Sequence, residues 1–258
     1  MLNFRSASIY LIILAVAALL LMTVNVQYWW LLPVLAVIYL YLLVMGSVKI
    51  CSGFYVDTFC RGISSDNKLT LTFDDGPDPE HTAQILEILE KHAVPATFFI
   101  IGNKAENQED LLRQIISKGH IIGNHSFSHA FFYDLYRRKK MERDLMKTEE
   151  LILKVTGKKP FLFRPPYGVT NPVVAKVAKK LGYKVIGWSV RSLDTVLKDA
   201  DKITERVVER LHPGAVILMH DNRDVTPKAL EIIITRAKEE GYRFVGLEEL
   251  TGFKANEN

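Results

Sequence analysis

From Ser6 to Val48 the chain carries no Asp, Glu, Lys or Arg, and a run that long without a charge has few places to go. Within it, Ile9 to Val24 and Tyr28 to Met45 are dense in Leu, Ile, Val and Ala. Each, with its flanks, approaches the ~20 residues needed to cross a bilayer. The break between them reads Asn25, Val26, Gln27, Tyr28, Trp29, Trp30, a polar pair beside an aromatic cluster of the kind found where membrane meets water. The sequence therefore predicts two transmembrane helices joined by a tight turn within residues 1–48, with a lipid bilayer as partner. A signal peptide followed by one anchor is the alternative, but the small-residue cleavage pattern is missing near residue 25. A hairpin buried in a soluble core is the plainest reading, and the length of the charge-free run argues against it.

At 258 residues, 48% hydrophobic and 24% charged, the chain has room for one sizeable domain besides the hairpin. A linker is expected over 49–67, the domain over 68–252 and a tail over 253–258. Strand and helix signals alternate across the domain. Leu69 to Phe73 and Ala96 to Ile101 read as strands flanking a helix at Glu80 to Lys91, whose Ile85, Leu86, Ile88 and Leu89 form an apolar face. A helix at Asp110 to Lys118 precedes a short strand at His120 to Gly123, and a longer charged helix spans Tyr136 to Thr156. Asn171 caps a further helix with Pro172 at its first position. Strands at Tyr183 to Ser189, Ala215 to Met219 and Tyr242 to Val245 alternate with helices near Ala200 to Arg210 and Pro227 to Glu240. Repeated βα units with short connections imply an α/β fold with a parallel sheet, open or closed.

The net charge of +4 is mild, and with no basic run it gives no case for nucleic acid. Cys51 and Cys60 stand nine apart, outside any metal-binding pattern. A disulfide or palmitoylation is possible there, and two free thiols is the leading expectation.

Five segments stand at the ends of apolar runs: TFDDGP (Thr72 to Pro77), HSFSH (His125 to His129), FRPPYG (Phe163 to Gly168), WSVRSLD (Trp188 to Asp194) and VILMHD (Val216 to Asp221). Singly, each has an ordinary explanation. Asp-Asp before Gly-Pro makes a solvated turn, and Pro165, Pro166 and Gly168 make a rigid one. A His pair at spacing four arises readily by chance among seven His, and a lone strand-end His220 is more often packed or hydrated than catalytic. Two imidazoles four apart can nonetheless reach one metal ion, and paired carboxylates at a strand end can take different tasks. Amide hydrolysis needs a nucleophilic water, a polarised carbonyl and a proton for the departing amine. One carboxylate and two imidazoles around a divalent ion would supply the first two. Asp75, His125 and His129 match that ligand set.

In this order the motifs resemble those of the polysaccharide deacetylase family (NodB homology, carbohydrate esterase family 4), from about Lys68 to Leu250. The resemblance implies a distorted, incomplete (β/α) barrel. It implies Asp75, His125 and His129 as metal ligands, Zn2+ by default with Co2+, Ni2+ or Fe2+ admissible. It implies Asp74 as general base, His220 as general acid partnered by Asp194, and Arg164 orienting Asp74 and balancing its charge. The backbone N–H of Tyr167 becomes an oxyanion donor, and Leu218 lines the acetyl pocket. One motif departs from the family: Arg191 and Thr195 stand where many members have an acid and a groove-walling Trp, a loss Trp188 offsets in part. The other histidines, His81, His92, His120 and His212, read as helix, loop or turn positions.

The expected function is metal-dependent removal of N-acetyl groups from N-acetylglucosamine in a peptidoglycan- or chitin-like polysaccharide, by a monomer on the bacterial cytoplasmic membrane. Sidedness divides the readings. Arg5, Lys49, Arg61 and Lys68 all lie on the side of the termini, which by the positive-inside rule would face the domain inward, whereas a wall-modifying enzyme faces outward. An inward domain would suit a deacetylase or deformylase of a polyprenyl-linked sugar. A catalytically silent carbohydrate-binding member is the reading from another class, and intact Asp74 and His220 argue against it.

Overall fold

A computed structural model describes residues 2–62 and 66–253. Residues 63–65 of the expected linker and 254–258 of the expected tail lie outside the described residues. Helices α1 (Phe4–Val24) and α2 (Leu31–Val48) form the expected hairpin. Asn25 turns the chain between them by accepting a hydrogen bond from the Gln27 amide, the local bond that makes Asn a turn former. Pro33 falls in the first turn of α2, where its missing N–H costs nothing. Both apolar segments are long enough to cross a membrane. The rest of the protein leaves most of their side chains uncovered, Leu20 at 63% exposure among them.

The hairpin is bonded to the remainder of the chain at several points. The Phe4 N–H donates to the Phe54 carbonyl at 2.8 Å, and the Tyr55 hydroxyl donates to the Leu43 carbonyl at 3.2 Å. Buried Thr170 donates its N–H to the Ser47 carbonyl at 3.0 Å and its hydroxyl to the Gly46 carbonyl at 3.2 Å. These carbonyls belong to the last turn of α2, where a helix leaves acceptors without internal partners. Cys51 and Cys60 correct the expectation of free thiols: they form a disulfide. A turn through Gly53, at φ 62°, brings their Cα atoms to 5.9 Å, inside the range a disulfide can bridge.

The remaining elements run β1 (Thr58–Phe59), β2 (Lys68–Gly76), α3 (His81–Lys91), β3 (Ala96–Ile100), α4 (Gly102–Ala105), α5 (Glu109–Ser117), β4 (Ile121–Asn124), α6 (Arg138–Thr156), β5 (Leu162–Phe163), α7 (Pro172–Lys180), β6 (Lys184–Ile186), β7 (Val190–Arg191), α8 (Ala200–Val208), β8 (Ala215–His220), α9 (Thr226–Glu239), β9 (Arg243–Phe244) and α10 (Leu247–Thr251). The strands pair in the order β1-β6-β5-β4-β3-β2-β8-β7, with β9 added to β2, and every pairing between them is parallel. The two ends of that path, β1 and β7, do not pair with each other among the described residues, so the sheet curls into an incomplete barrel. Residues 49–67, expected as a linker, supply the edge strand β1, which pairs with β6.

The central strand shows how the barrel is filled. Leu69, Leu71 and Phe73 pack outward with Ile85 and Leu86 of α3 and Ile233 of α9. Alternation turns Thr70, Thr72 and Asp74 to the interior. There Arg164, wholly buried, stacks over the Phe99 ring at 4.2 Å beside Ile186 and Val216. Parallel strands covered on both faces carry such continuous burial.

Candidate active site

Parallel strands point their C-terminal ends one way, and in open or closed α/β sheets that end carries the site. Asp74 and Asp75 lie at the end of β2, His125 follows β4, Arg164 follows β5, and His220 closes β8. Eight of the residues singled out in the sequence, Asp74, Asp75, His125, His129, Tyr167, Trp188, Leu218 and His220, line one cavity of about 250 Å³. Arg164 and Asp194 stand behind it, buried. Arg191 and Thr195, from the segment that departs from the family pattern, border the same cavity.

Adjacent residues of a regular strand face opposite ways, yet Asp74 and Asp75 share this cavity. A bulge resolves the conflict. The register of β2 against β3 shifts between Asp74 and Gly76, and Asp75 adopts φ 74°, so the extra residue re-aims its carboxylate. Gly76 permits the turn: a Cβ there would stand 2.0 Å from Asp221 Oδ2. Ser126, His129, Tyr167 and Leu193 also hold left-handed backbone. Each such residue costs on the order of 1 kcal/mol or more, and sites are where such strain collects.

On one wall, Asp75 Oδ1 lies 3.3 Å from His129 Nε2 and 3.6 Å from His125 Nε2. One donor atom from each of the three comes within 4.8 Å of the others. A tetrahedral ion with bonds of about 2.0–2.1 Å has edges of roughly 3.3 Å between donors, so the three fit a divalent cation. His125 Nδ1 lies 2.7 Å from the Arg164 carbonyl. An N–H donated there leaves the Nε2 lone pair facing Asp75. Burial, seconded by His125, pushes His129 down to about 4, which keeps its imidazole neutral near pH 7. Burial opposes charge on Asp75, but the neighbouring imidazoles of His125, His220 and His129, when protonated, outweigh it and hold the carboxyl well below the usual range.

Asp74 turns the other way. Its Oδ1 accepts from Arg164 Nη1 at 2.6 Å, and its Oδ2 lies 3.8 Å from His125 Nε2. The guanidinium is itself fixed by Thr72 Oγ1 at 2.9 Å and by the carbonyls of Ile186 at 3.2 Å and Gly187 at 2.8 Å.

Across the cavity, His220 Nδ1 meets Asp194 Oδ1 at 2.7 Å. Asp194 Oδ2 accepts from the His220 N–H at 2.7 Å and from the Thr226 hydroxyl at 2.8 Å. Burial alone would lower the His220 pKa, but the hydrogen bond and charge of Asp194 raise it above the ordinary value. Burial likewise opposes ionisation of Asp194, and the bond from His220 outweighs it, lowering its pKa. The rim is aromatic. Tyr167, about half exposed, lies with its ring centroid 4.8 Å from that of His129, and a Cβ on Gly168 would stand 2.3 Å from Trp188.

Several supporting residues escaped the sequence reading. Asp144 accepts from the Phe127 and Ser128 amides at 2.8 and 3.2 Å, and buried Asn124 accepts from the Ser126 amide at 2.8 Å, together fixing the loop that carries both histidines. Asn124 stands directly before His125, and that adjacency was a usable signal; nothing in the sequence tied Asp144 to the loop. Arg223 borders the cavity. Lys104 Nζ donates to the Asp75 carbonyl at 2.7 Å. Asp221, beside His220, is wholly buried against the Thr82 hydroxyl at 2.6 Å, and burial pushes it up to about 7.

Known proteins share both sequence and fold with this chain. The sequence model described as polysaccharide deacetylase matches residues 61–186. A peptidoglycan-N-acetylglucosamine deacetylase of Bacillus cereus is 36% identical over 196 residues, covering 74% of this chain and 91% of that protein. A peptidoglycan-N-acetylmuramic acid deacetylase of Bacillus subtilis is 35% identical over 200 residues, covering 75% of each. The crystal structure of a peptidoglycan N-acetylglucosamine deacetylase bound to an N-hydroxybenzamide superposes with a TM-score of 0.73 at 34% identity, covering 77% of this chain and 94% of that one.

Proposed function

Because this chain belongs to the polysaccharide deacetylase family, hydrolases of amide carbon–nitrogen bonds, we propose that it removes N-acetyl groups from the amino sugars of peptidoglycan and releases acetate. The observation that carries this reading is the separation of the Asp74–Asp75 pair. One carboxylate joins two imidazoles, and the other joins a buried guanidinium.

Asp75, His125 and His129 would hold a divalent cation, zinc by default. When bound, it supplies Lewis-acid polarisation of the amide carbonyl and acidifies a water beside it. Asp74 takes the proton from the attacking water as its oxygen bonds to the carbonyl carbon. Arg164 keeps Asp74 aimed and balances its charge, while the Tyr167 N–H faces the developing oxyanion. The carbon–nitrogen bond then breaks, and the sugar nitrogen receives its proton from His220 Nε2. Asp194 fixes the opposite edge of that ring and favours its charged form. Leu218 lines the acetyl methyl pocket and Trp188 the sugar groove. Arg191 and Arg223 at the cavity border favour a sugar bearing an anionic substituent, such as the lactyl carboxylate of muramic acid.

The two apolar helices serve as the membrane anchor. The Cys51–Cys60 disulfide supports an outward domain, since such bonds persist on the oxidising side. The basic residues flanking the helices support the inward alternative. Fusions of a periplasmic or cytoplasmic reporter to the C-terminus separate the two. For the activity, full-length protein incubated with N-acetylated glycan strands releases acetate, loses this on chelation and regains it with zinc or cobalt. No release with zinc, cobalt, nickel or iron supplied, while the strands still bound, would overturn the enzyme in favour of a carbohydrate-binding role.

A further inference from the structure

A cavity larger than the catalytic one lies where the start of α1, the segment just past α2 and the outer face of α7 meet, a groove of about 780 Å³. Its floor is aromatic. The rings of Phe4, Phe54 and Tyr55 meet with centroids 4.8–6.1 Å apart. Its rim is cationic: Arg5, Lys176, Lys179 and Lys184 face the single carboxylate of Asp57. Arg5, Lys176 and Lys179 are exposed and form no ion pair among the described residues.

Like charges that outnumber the one carboxylate beside them repel one another, and the half-buried rings of Phe4 and Tyr55 still present apolar surface to water. One ligand chemistry relieves both, a phosphate carrying an apolar tail. We propose that this groove binds the headgroup of an anionic phospholipid, its phosphate among Arg5, Lys176 and Lys179 and its glycerol and first methylenes on the rings. The site rests on the reading that α1 and α2 span the bilayer. Residues 3–5 then cap and open one apolar helix and residues 53–59 follow the other, which sets the groove at headgroup level. A free phosphate would find the cations but leave the floor uncovered. The choice of lipid comes from the two surfaces together.

The test uses full-length protein reconstituted in nanodiscs of mixed phosphatidylcholine and phosphatidylglycerol, with lipids retained on release counted by native mass spectrometry. Phosphatidylglycerol is retained in preference, and the R5Q/K176Q/K179Q protein loses that preference about tenfold. Asp57→Asn, which removes the one opposing charge, strengthens it. Millimolar inorganic phosphate or glycerol phosphate leaves retention unchanged; displacement by either assigns the groove to a free anion and overturns the proposal. Unaltered preference in the triple variant also overturns it. So does a several-fold gain in a protein ending at Phe253, since that gives the groove to residues 254–258. Acetate release from soluble glycan, read on the same samples, reports the catalytic cleft alone, so the two readings fail separately.

Discussion

The two walls of the catalytic cleft treat histidine in opposite ways. On one wall His129 is buried beside a second imidazole and pushed down to about 4. On the other His220 is buried beside Asp194 and its pKa is raised. Burial lowers both: at His129 it prevails over the Asp75 carboxylate, whereas at His220 the hydrogen bond and charge of Asp194 outweigh it. A neutral imidazole offers a lone pair to a cation, whereas a charged one offers a proton. In the proposed function one residue type thus takes two incompatible tasks within one cavity, according to how far its carboxylate neighbour offsets burial.

Breaking the first wall has the largest expected effect. His125→Ala removes one of three donors, so bound metal falls in elemental analysis and acetate release drops by about a thousandfold or more; a loaded, active variant would dissolve the distinction between the walls. Next, Asp74→Asn keeps the cation but loses the base. A fall of about 10²–10⁴ in kcat with unchanged metal content is expected, and loss of metal instead would move Asp74 into the donor set.

The second wall is probed by Asp194→Asn. With the carboxylate in place, His220 holds its proton above its ordinary pKa, so activity that needs the acid form persists as pH rises and fails only past the raised value. The amide cannot supply that charge, so the alkaline limb of the kcat profile moves to lower pH and the rate at pH 8 falls roughly tenfold to a hundredfold. A limb that stays put would remove His220 from the proton path.

A separate effect falls on stability and concerns Asp221, a buried acid next to His220 that forms no ion pair among the described residues. Its pKa rises from 3.8 to about 7, so the folded state binds the proton more tightly than the unfolded one. Stability from this group is complete below about pH 4 and lost as pH climbs through 7. Asp221→Asn should therefore gain on the order of 3 kcal/mol at pH 8 and nothing near pH 4. Thermal melts of the detergent-solubilised protein at both pH values decide it, and equal gains at both would refute the titration.

Much of this was legible because each motif sits where an apolar run stops, and a strand's end is visible as a change of composition. The helices at α3 and α7 followed from an apolar face and from Asn171 with Pro172, signals contained in a few adjacent residues. The bulge at Asp75 was not legible, since it exists only against the register of β3. β1 and β7 are two residues each, too short to show alternation. The disulfide depended on how a turn at Gly53 folds back, which a spacing of nine does not encode. Asp144 holds the histidine loop across 16 and 17 residues of chain, and nothing local marks it.

The two hydrogen bonds from Thr170 to the last turn of α2 set the scale on which such an enzyme searches. Thr170 is three residues past Tyr167, so the catalytic turn lies within roughly 10 Å of the helix end. With α1 and α2 in a bilayer, the cleft sweeps a plane at constant height by lateral diffusion, whereas a domain on a slack tether would sample a hemisphere. Its rate would then track glycan per unit area of membrane rather than per unit volume, and strands beyond that plane would be out of reach at any concentration.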